Sequence, residues 1–221
     1  MGFFATFEGI EGSGKSTQSR RILEHLRAGG HDVVLTREPG GTEITAQIRA
    51  LLANPESRLD PTAELMLFLA DRAQHVSSVI RPALDAGKIV LCDRYCDSTL
   101  AYQGYGRGHD LGWLEELNWR ASHGVVPDLT LWIDCPVETG LGRVERRAGG
   151  PGDRFEAEPL EFHTRIQNGF AVLAARFPER IVRISSDRDP EAVAADCIEI
   201  FDRRLAAKAA APRTSIPVQA P

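Results

Sequence analysis

Gly9-Ile10-Glu11-Gly12-Ser13-Gly14-Lys15-Ser16-Thr17 decides the fold. The segment matches G-x-x-x-x-G-K-[ST], and it stands directly after the apolar run Phe3 to Phe7 and before a run with helical spacing, the context that the pattern requires. The glycines let backbone N–H groups converge on phosphate oxygens, and a helix starting at Lys15 points its positive end at them. Lys15 supplies a point charge for the β- and γ-phosphates, and the Ser16 hydroxyl is a magnesium ligand. A chance glycine-rich turn would not need a strand on one side and a helix on the other. The loop therefore binds a nucleoside triphosphate, and by itself it does not choose among kinases, GTPases and motors.

Outward from the loop, strand-like runs recur at Phe3 to Phe7, Asp32 to Thr36, Lys88 to Cys92, Leu129 to Cys135 and Ile181 to Ser185. Most are near-continuously apolar, as strands buried on both faces of a parallel sheet are. Between them helical spacing predicts helices over Thr17 to Ala28, Thr62 to Leu84 and Leu160 to Arg176, with Gly29-Gly30 and Pro178 as stops. Alternating strands and helices mean βαβ units. The expected fold is thus of the P-loop NTPase type, a three-layer α/β arrangement with a five-stranded parallel sheet. The glycine-rich, basic stretch Arg146 to Asp153 predicts a mobile lid, taken over about 143–156. One kinase-sized domain is expected over 1–207, followed by a disordered Ala- and Pro-rich tail over 208–221.

The 221 residues fit one domain, and 43% hydrophobic with 26% charged content excludes collagen-like, disordered and disulfide-scaffold classes. A net charge of −5 argues against a chain that coats nucleic acid or an anionic membrane, so an anionic ligand must be held by a local cluster. Cys92, Cys96, Cys135 and Cys197 form no C-x-x-C pair and read as inert thiols. The six histidines show no zinc-ligand spacing. The opening MGFFATFEGIEG lacks the basic region of a signal or transit peptide, and no apolar stretch reaches the length of a membrane span. A cytoplasmic protein is expected.

A guanine-specific [NT]-K-x-D segment is absent, which weakens a GTPase reading, and 221 residues leave little room for the coupling modules of a motor. A small nucleotide or nucleoside kinase remains. A kinase for a phosphorylated acceptor needs a second anion site facing the loop, and ligands of open α/β sheets gather outside the carboxyl ends of the strands. Arg37-Glu38-Pro39-Gly40-Gly41-Thr42 and Asp93-Arg94-Tyr95 follow strand-like runs and would lie there. Asp93 can reach magnesium directly or through water, and Arg94 can bind an acceptor phosphate bidentately. A helix-cap salt bridge is the structural alternative for such an Asp-Arg pair.

Taken together, FEGIEGSGKST, TREPGGT, LFLADRAQH, DRYxxSxxAYQG and DRFE, in this order between about residues 3 and 186, resemble the thymidylate kinase family. The resemblance implies phosphorylation of dTMP to dTDP with ATP as co-substrate, Mg2+ as cofactor and a homodimer as assembly. It implies that Phe68 stacks on thymine and Arg72 hydrogen-bonds it, an i, i+4 pair on one helical face. Tyr102 would crowd a 2′-hydroxyl, with Ser98, Thr99 and Gln103 near sugar or base. Arg37, Glu38, Arg49 and Arg94 would surround the acceptor phosphate, and Glu11 would meet the 3′-hydroxyl.

Gly12 after Glu11 resembles the family variant whose catalytic arginine sits in the lid. Arg143, Arg146, Arg147 and Arg154 are the lid arginines available, with Arg147 assigned to catalysis and Arg143 to packing on adenine. Such a cation cancels charge spreading over the γ-oxygens. Glu156 fits either an ion pair or a ligand role, and Ser185 to Arg188 follows the last strand where related kinases hold adenine. The residues leave two other activities open, a deoxynucleoside kinase and a P-loop nucleotide sensor without turnover.

Overall fold

Alternation along one strand sets the layers. In β1 (Phe3–Glu8) every residue is buried: Phe3, Ala5 and Phe7 join an apolar cluster on one face, and Phe4 joins another on the opposite face. The computed structural model describes residues 2–147 and 153–210. With β1 stand β2 (Val33–Arg37), β3 (Ile89–Asp93), β4 (Leu129–Asp134) and β5 (Ile181–Ser185), in the order β2-β3-β1-β4-β5 and all parallel. The registers Phe7↔Asp93 and Arg37↔Asp93 bring the carboxyl ends of β1, β2 and β3 level, so the loops that follow them share one rim.

On the first face lie α1 (Lys15–Ala28) and α9 (Pro190–Ala210), which bury Ile22, Leu26, Val193, Cys197 and Phe201 against the sheet. The second face carries α2 (Glu43–Ala53), α3 (Pro61–His75), α4 (Arg81–Asp85), α5 (Cys96–Thr99), α6 (Leu111–Ala121), α7 (Val137–Arg147) and α8 (Leu160–Arg176), among which Leu65, Leu69, Leu114, Phe162, Ile166 and Phe170 pack together. The capping box of Thr42 with Thr45 opens α2, and the Asp60 carboxylate followed by Pro61 opens α3.

The five strands and the three expected helices all form, with ends shifted by one or two residues. One expectation changes shape. The helix predicted over Thr62 to Leu84 is α3 and α4 joined by a π-helical turn at Val76–Ile80. Pro82 lacks an N–H and its ring crowds the preceding turn, and the ladder widens just before it. A second π-helical segment, Leu100–Gly106, buries the neighbours Tyr102 and Gln103 together.

The tail expectation is corrected at its start. Residues 208–210 continue α9, because alanines at 206, 207, 209 and 210 favour helix and the Lys208 ammonium pairs with Asp128 at 2.5 Å. Residues 211–221 lie outside the described residues. The loop expected from Arg146 begins later, since Arg146 and Arg147 close α7; residues 148–152 and the side chain of Arg147 lie outside the described residues. Among the described residues no helix is long and apolar enough to cross a membrane.

Candidate active site

The loops after β1, β2 and β3 enclose a cleft of about 520 Å³. Its floor is the phosphate loop. Gly9, Gly12 and Gly14 take φ of 140°, 69° and 104°, and a Cβ at Gly12 would stand 2.0 Å from the Gly140 carbonyl oxygen of α7. Lys15 Nζ donates to the carbonyls of Gly9 at 3.0 Å and Ile10 at 2.7 Å. Burial lowers the Lys15 ammonium to about 8, and the Arg94 charge adds to the fall.

The first turn of α1 meets the end of β3 where Ser16 Oγ donates to Asp93 Oδ2 at 2.6 Å. A hydroxyl and a carboxylate side by side are hard oxygen donors of the kind Mg2+ selects. Among the described residues no three His, Cys, Asp or Glu side chains group to hold a metal. A site of two protein oxygens leaves the remaining positions to phosphate and water, the usual way Mg2+ is held.

Arg94 follows Asp93 with its backbone in the left-handed region at φ 70°. Its guanidinium donates to the Gly9 carbonyl at 2.8 Å, to Ser98 Oγ at 3.1 Å and to Glu11 Oε1 at 2.8 Å, and lies over the Tyr102 ring. Tyr102 donates its hydroxyl to the same Glu11 oxygen at 2.6 Å. Burial disfavours the ionised form of Glu11, but Arg94, with His163 and Lys15, outweighs it and holds this carboxyl well below the usual carboxylate range. Under the turn, Glu8 accepts from the N–H groups of Tyr95 and Ser98 and from Ser98 Oγ. Burial, with Asp97 adding, pushes the Glu8 carboxyl up to about 8.

Phe68, Arg72, Thr99 and Gln103 line the far end of the cleft. Arg72 is buried and held on several sides: Nε donates to Glu38 Oε2 at 2.9 Å, Nη1 to Thr99 Oγ1 at 2.9 Å and Asn118 Oδ1 at 2.5 Å. Glu38 also faces His75 Nδ1 at 3.0 Å, and His75 Nε2 meets Thr36 Oγ1 at 2.6 Å. Gln103 Nε2 donates to Glu64. Phe155 stands 5.9 Å from Phe68, ring to ring, and adds a second aromatic to this wall.

Arg37 and Arg49 both line the cleft, Arg49 Nη1 donating to the Pro39 carbonyl at 3.1 Å. Burial, together with Arg37, lowers the Arg49 guanidinium. On the donor side Arg143 bridges the carbonyls of Gly12 and Ser186, which sets it between the phosphate loop and the turn after β5. Arg146 is exposed on α7. Arg154 is drawn away from the cleft instead: it pairs with Glu64 at 2.7 Å and donates to the Leu52 carbonyl at 3.0 Å. Glu156 lines the cleft and accepts from the Asp153 N–H at 3.0 Å.

A sequence profile of the family described as "Thymidylate kinase" matches residues 7–197. The chain belongs to the thymidylate kinase family. A thymidylate kinase of Desulfovibrio desulfuricans is 52% identical over 210 residues, covering 91% of this chain and 97% of that one. Another, of Citrifermentans bemidjiense, is 53% identical over 194 residues, 86% of each chain. A crystal structure of thymidylate kinase from Ehrlichia chaffeensis superposes with a TM-score of 0.74 at 36% identity, over 90% of this chain and 98% of that one. Of the three activities that the residues left open, membership of the thymidylate kinase family selects the nucleotide kinase.

For this member of the thymidylate kinase family the cleft gathers Glu11 to Thr17, Arg37, Glu38, Phe68, Arg72, Asp93, Arg94, Ser98, Thr99, Tyr102, Gln103 and Arg143 around one space, with the Gly9 and Ile10 carbonyls held on Lys15. Sequence reading passed over the side chains that hold or adjoin these groups: Glu8, Glu64, His75, Asn118 and His163. His75 stood within LFLADRAQH and Glu8 one residue before the loop, so both were in view. Asn118 and His163 reach the site from α6 and α8, and nothing local in the sequence marks them.

Proposed function

We propose that this chain catalyses transfer of the γ-phosphoryl group of ATP to the phosphate of dTMP, giving dTDP and ADP, in the cleft above β1, β2 and β3. Gly9, Ile10, Glu11, Gly12, Ser13, Gly14, Lys15, Ser16 and Thr17 hold the triphosphate, and Arg143 packs beside adenine near the turn after β5. On the acceptor side Phe68 stacks on thymine, Arg72 bonds its edge, and Tyr102 closes the space a 2′-hydroxyl would need. Ser98, Thr99 and Gln103 complete this wall. Arg94, with Arg37, Arg49 and Glu38 around it, orients the acceptor phosphate, and Glu11 takes the 3′-hydroxyl.

An oxygen of the dTMP phosphate attacks Pγ in line, a new P–O bond forms, and the bond from Pγ to the β-bridging oxygen breaks to release ADP. No covalent enzyme intermediate is involved, so the protein's share is positioning and charge cancellation. Lys15 and Arg94 approach from the loop and the rim, and Arg147 at the end of α7 is assigned the closing cation. Mg2+, bound by Ser16 and Asp93 directly or through water, would neutralise charge on the β- and γ-oxygens.

One observation carries this reading: Arg94 and Glu11 are joined in the cleft that the phosphate loop and the Phe68–Arg72 wall both line. The same proposal includes a homodimer, supported by Ile44, Leu51 and Met66, exposed apolar side chains of α2 and α3. It also includes a cytoplasmic location with no nucleic-acid or membrane partner, supported by the acidic balance and the four free thiols. One kinase domain spans 1–207 with the end of α9 attached.

The deciding experiment offers dTMP, dUMP, dCMP, AMP and thymidine one at a time with ATP and Mg2+ and follows ADP release. Selective turnover of dTMP is expected. Preference for thymidine would move the reaction to a hydroxyl acceptor.

A further inference from the structure

His163 lies on the first turns of α8, just beyond the Asp153–Glu156 segment that borders the cleft. It is completely buried, and neither ring nitrogen has a hydrogen-bond partner. A buried imidazole left bare on both sides is costly in any fold. Its Nδ1 stands 3.4 Å from Oε2 of Glu11, and that oxygen is itself buried and without a hydrogen bond. The other oxygen, Oε1, is fully engaged by Arg94 and Tyr102. Donor and acceptor therefore stand within reach of each other with no competitor, but are not aligned.

We infer that His163 is a positioning residue for Glu11: its Nδ1–H donates to Oε2 and fixes the plane of the carboxylate when dTMP is in the cleft. A small turn of the imidazole or of the carboxylate would align the pair. The neutral ring suffices, with the proton on Nδ1, so no charge has to be buried. Without this second anchor Glu11 could rotate about Oε1 while keeping both Arg94 and Tyr102, and the plane of the carboxylate at the acceptor would no longer be fixed. The inference rests on the proposed placement of Glu11 at the acceptor. A purely structural His163, packed edge-on against Phe162, would need only its shape.

The test is steady-state kinetics on the full chain for His163→Phe, His163→Gln, Glu11→Gln and the double variant His163→Phe/Glu11→Gln, with a melting curve for each. Expected is a loss in kcat/KM for dTMP of about tenfold in His163→Phe, with KM for ATP unchanged and recovery to within about threefold in His163→Gln. In the Glu11→Gln background the same Phe substitution should cost less than about twofold, since the partner is already altered. Wild-type kinetics in His163→Phe, or an undiminished tenfold loss in the double variant, would overturn the positioning role. Wild-type kinetics in Glu11→Gln would instead overturn the placement of Glu11, and the role of His163 with it.

Discussion

Arg94 Nη2 donates to Glu11 Oε1 across 2.8 Å, and this contact joins the glycine-rich loop after β1 to the turn that ends β3. Both side chains are largely enclosed, so each depends on the other for its charge. Truncating one member of a buried, hydrogen-bonded charge pair costs about 2–5 kcal/mol. Arg94→Ala should therefore lower kcat/KM for dTMP by about two to three decades while the affinity for Mg·ATP changes little. Turnover and ATP titration together check this, and a parallel loss of ATP binding would place Arg94 on the donor instead.

Glu38 anchors Arg72 and faces His75, and all three are buried. Glu38→Ala strands a guanidinium away from water, a loss of about 3–5 kcal/mol. The melting temperature should fall by roughly 10 °C at this chain length. A drop of only a degree or two would mean that Thr99, Asn118 and water in the cleft satisfy Arg72 without Glu38.

Asp71 accepts the Gly40 N–H at 2.7 Å and is otherwise enclosed. Burial, with the Glu38 charge adding, raises its carboxyl from 3.8 to about 6. The fold thus holds this proton more tightly than the unfolded chain, and the stability gained is complete below pH 3.8 and is lost as pH rises through about 6. Asp71→Asn keeps an acceptor for Gly40 without the charge. Relative to it, the native chain should lose about 2–3 kcal/mol between pH 4 and pH 7. Urea unfolding at both values measures the difference, and a constant offset would show the carboxyl ionised in the fold throughout.

Asp93 shares its Oδ2 with the Ser16 hydroxyl. Asp93→Asn removes the negative donor but keeps a carbonyl in its place. The Mg2+ concentration for half-maximal turnover should rise about 10- to 100-fold, with ATP binding in the absence of divalent ions unaltered. An unchanged Mg2+ requirement would assign Asp93 to holding Ser16 alone.

The strands were readable from their unbroken apolar runs because β1, β3 and β4 are buried on both faces, and the phosphate loop from glycines whose backbone angles few other residues adopt. The π-helical turn before Pro82 was not, since helical spacing looks the same until the ladder is traced. The same limit applied at the site. Arg72 and Phe68 share a helix face and could be paired by counting. Arg154 could equally have served the lid by position, and only the distance to Glu64 shows it committed elsewhere. Arg49, a plain helix-surface arginine by sequence, turns into the cleft because Gly40 leaves room for its stem.

Where Gly12 faces Gly140, main chain meets main chain, with the Ile10 side chain packed beside the contact. The base of α7 and the crest of the phosphate loop thus form a stiff elbow. The helix that carries Arg143, Arg146 and Arg147 rests at Gly140 on the backbone of Glu11 and Gly12. Position 12 has no room for an arginine of its own, so bare backbone in the loop and cations on the neighbouring helix are two halves of one arrangement.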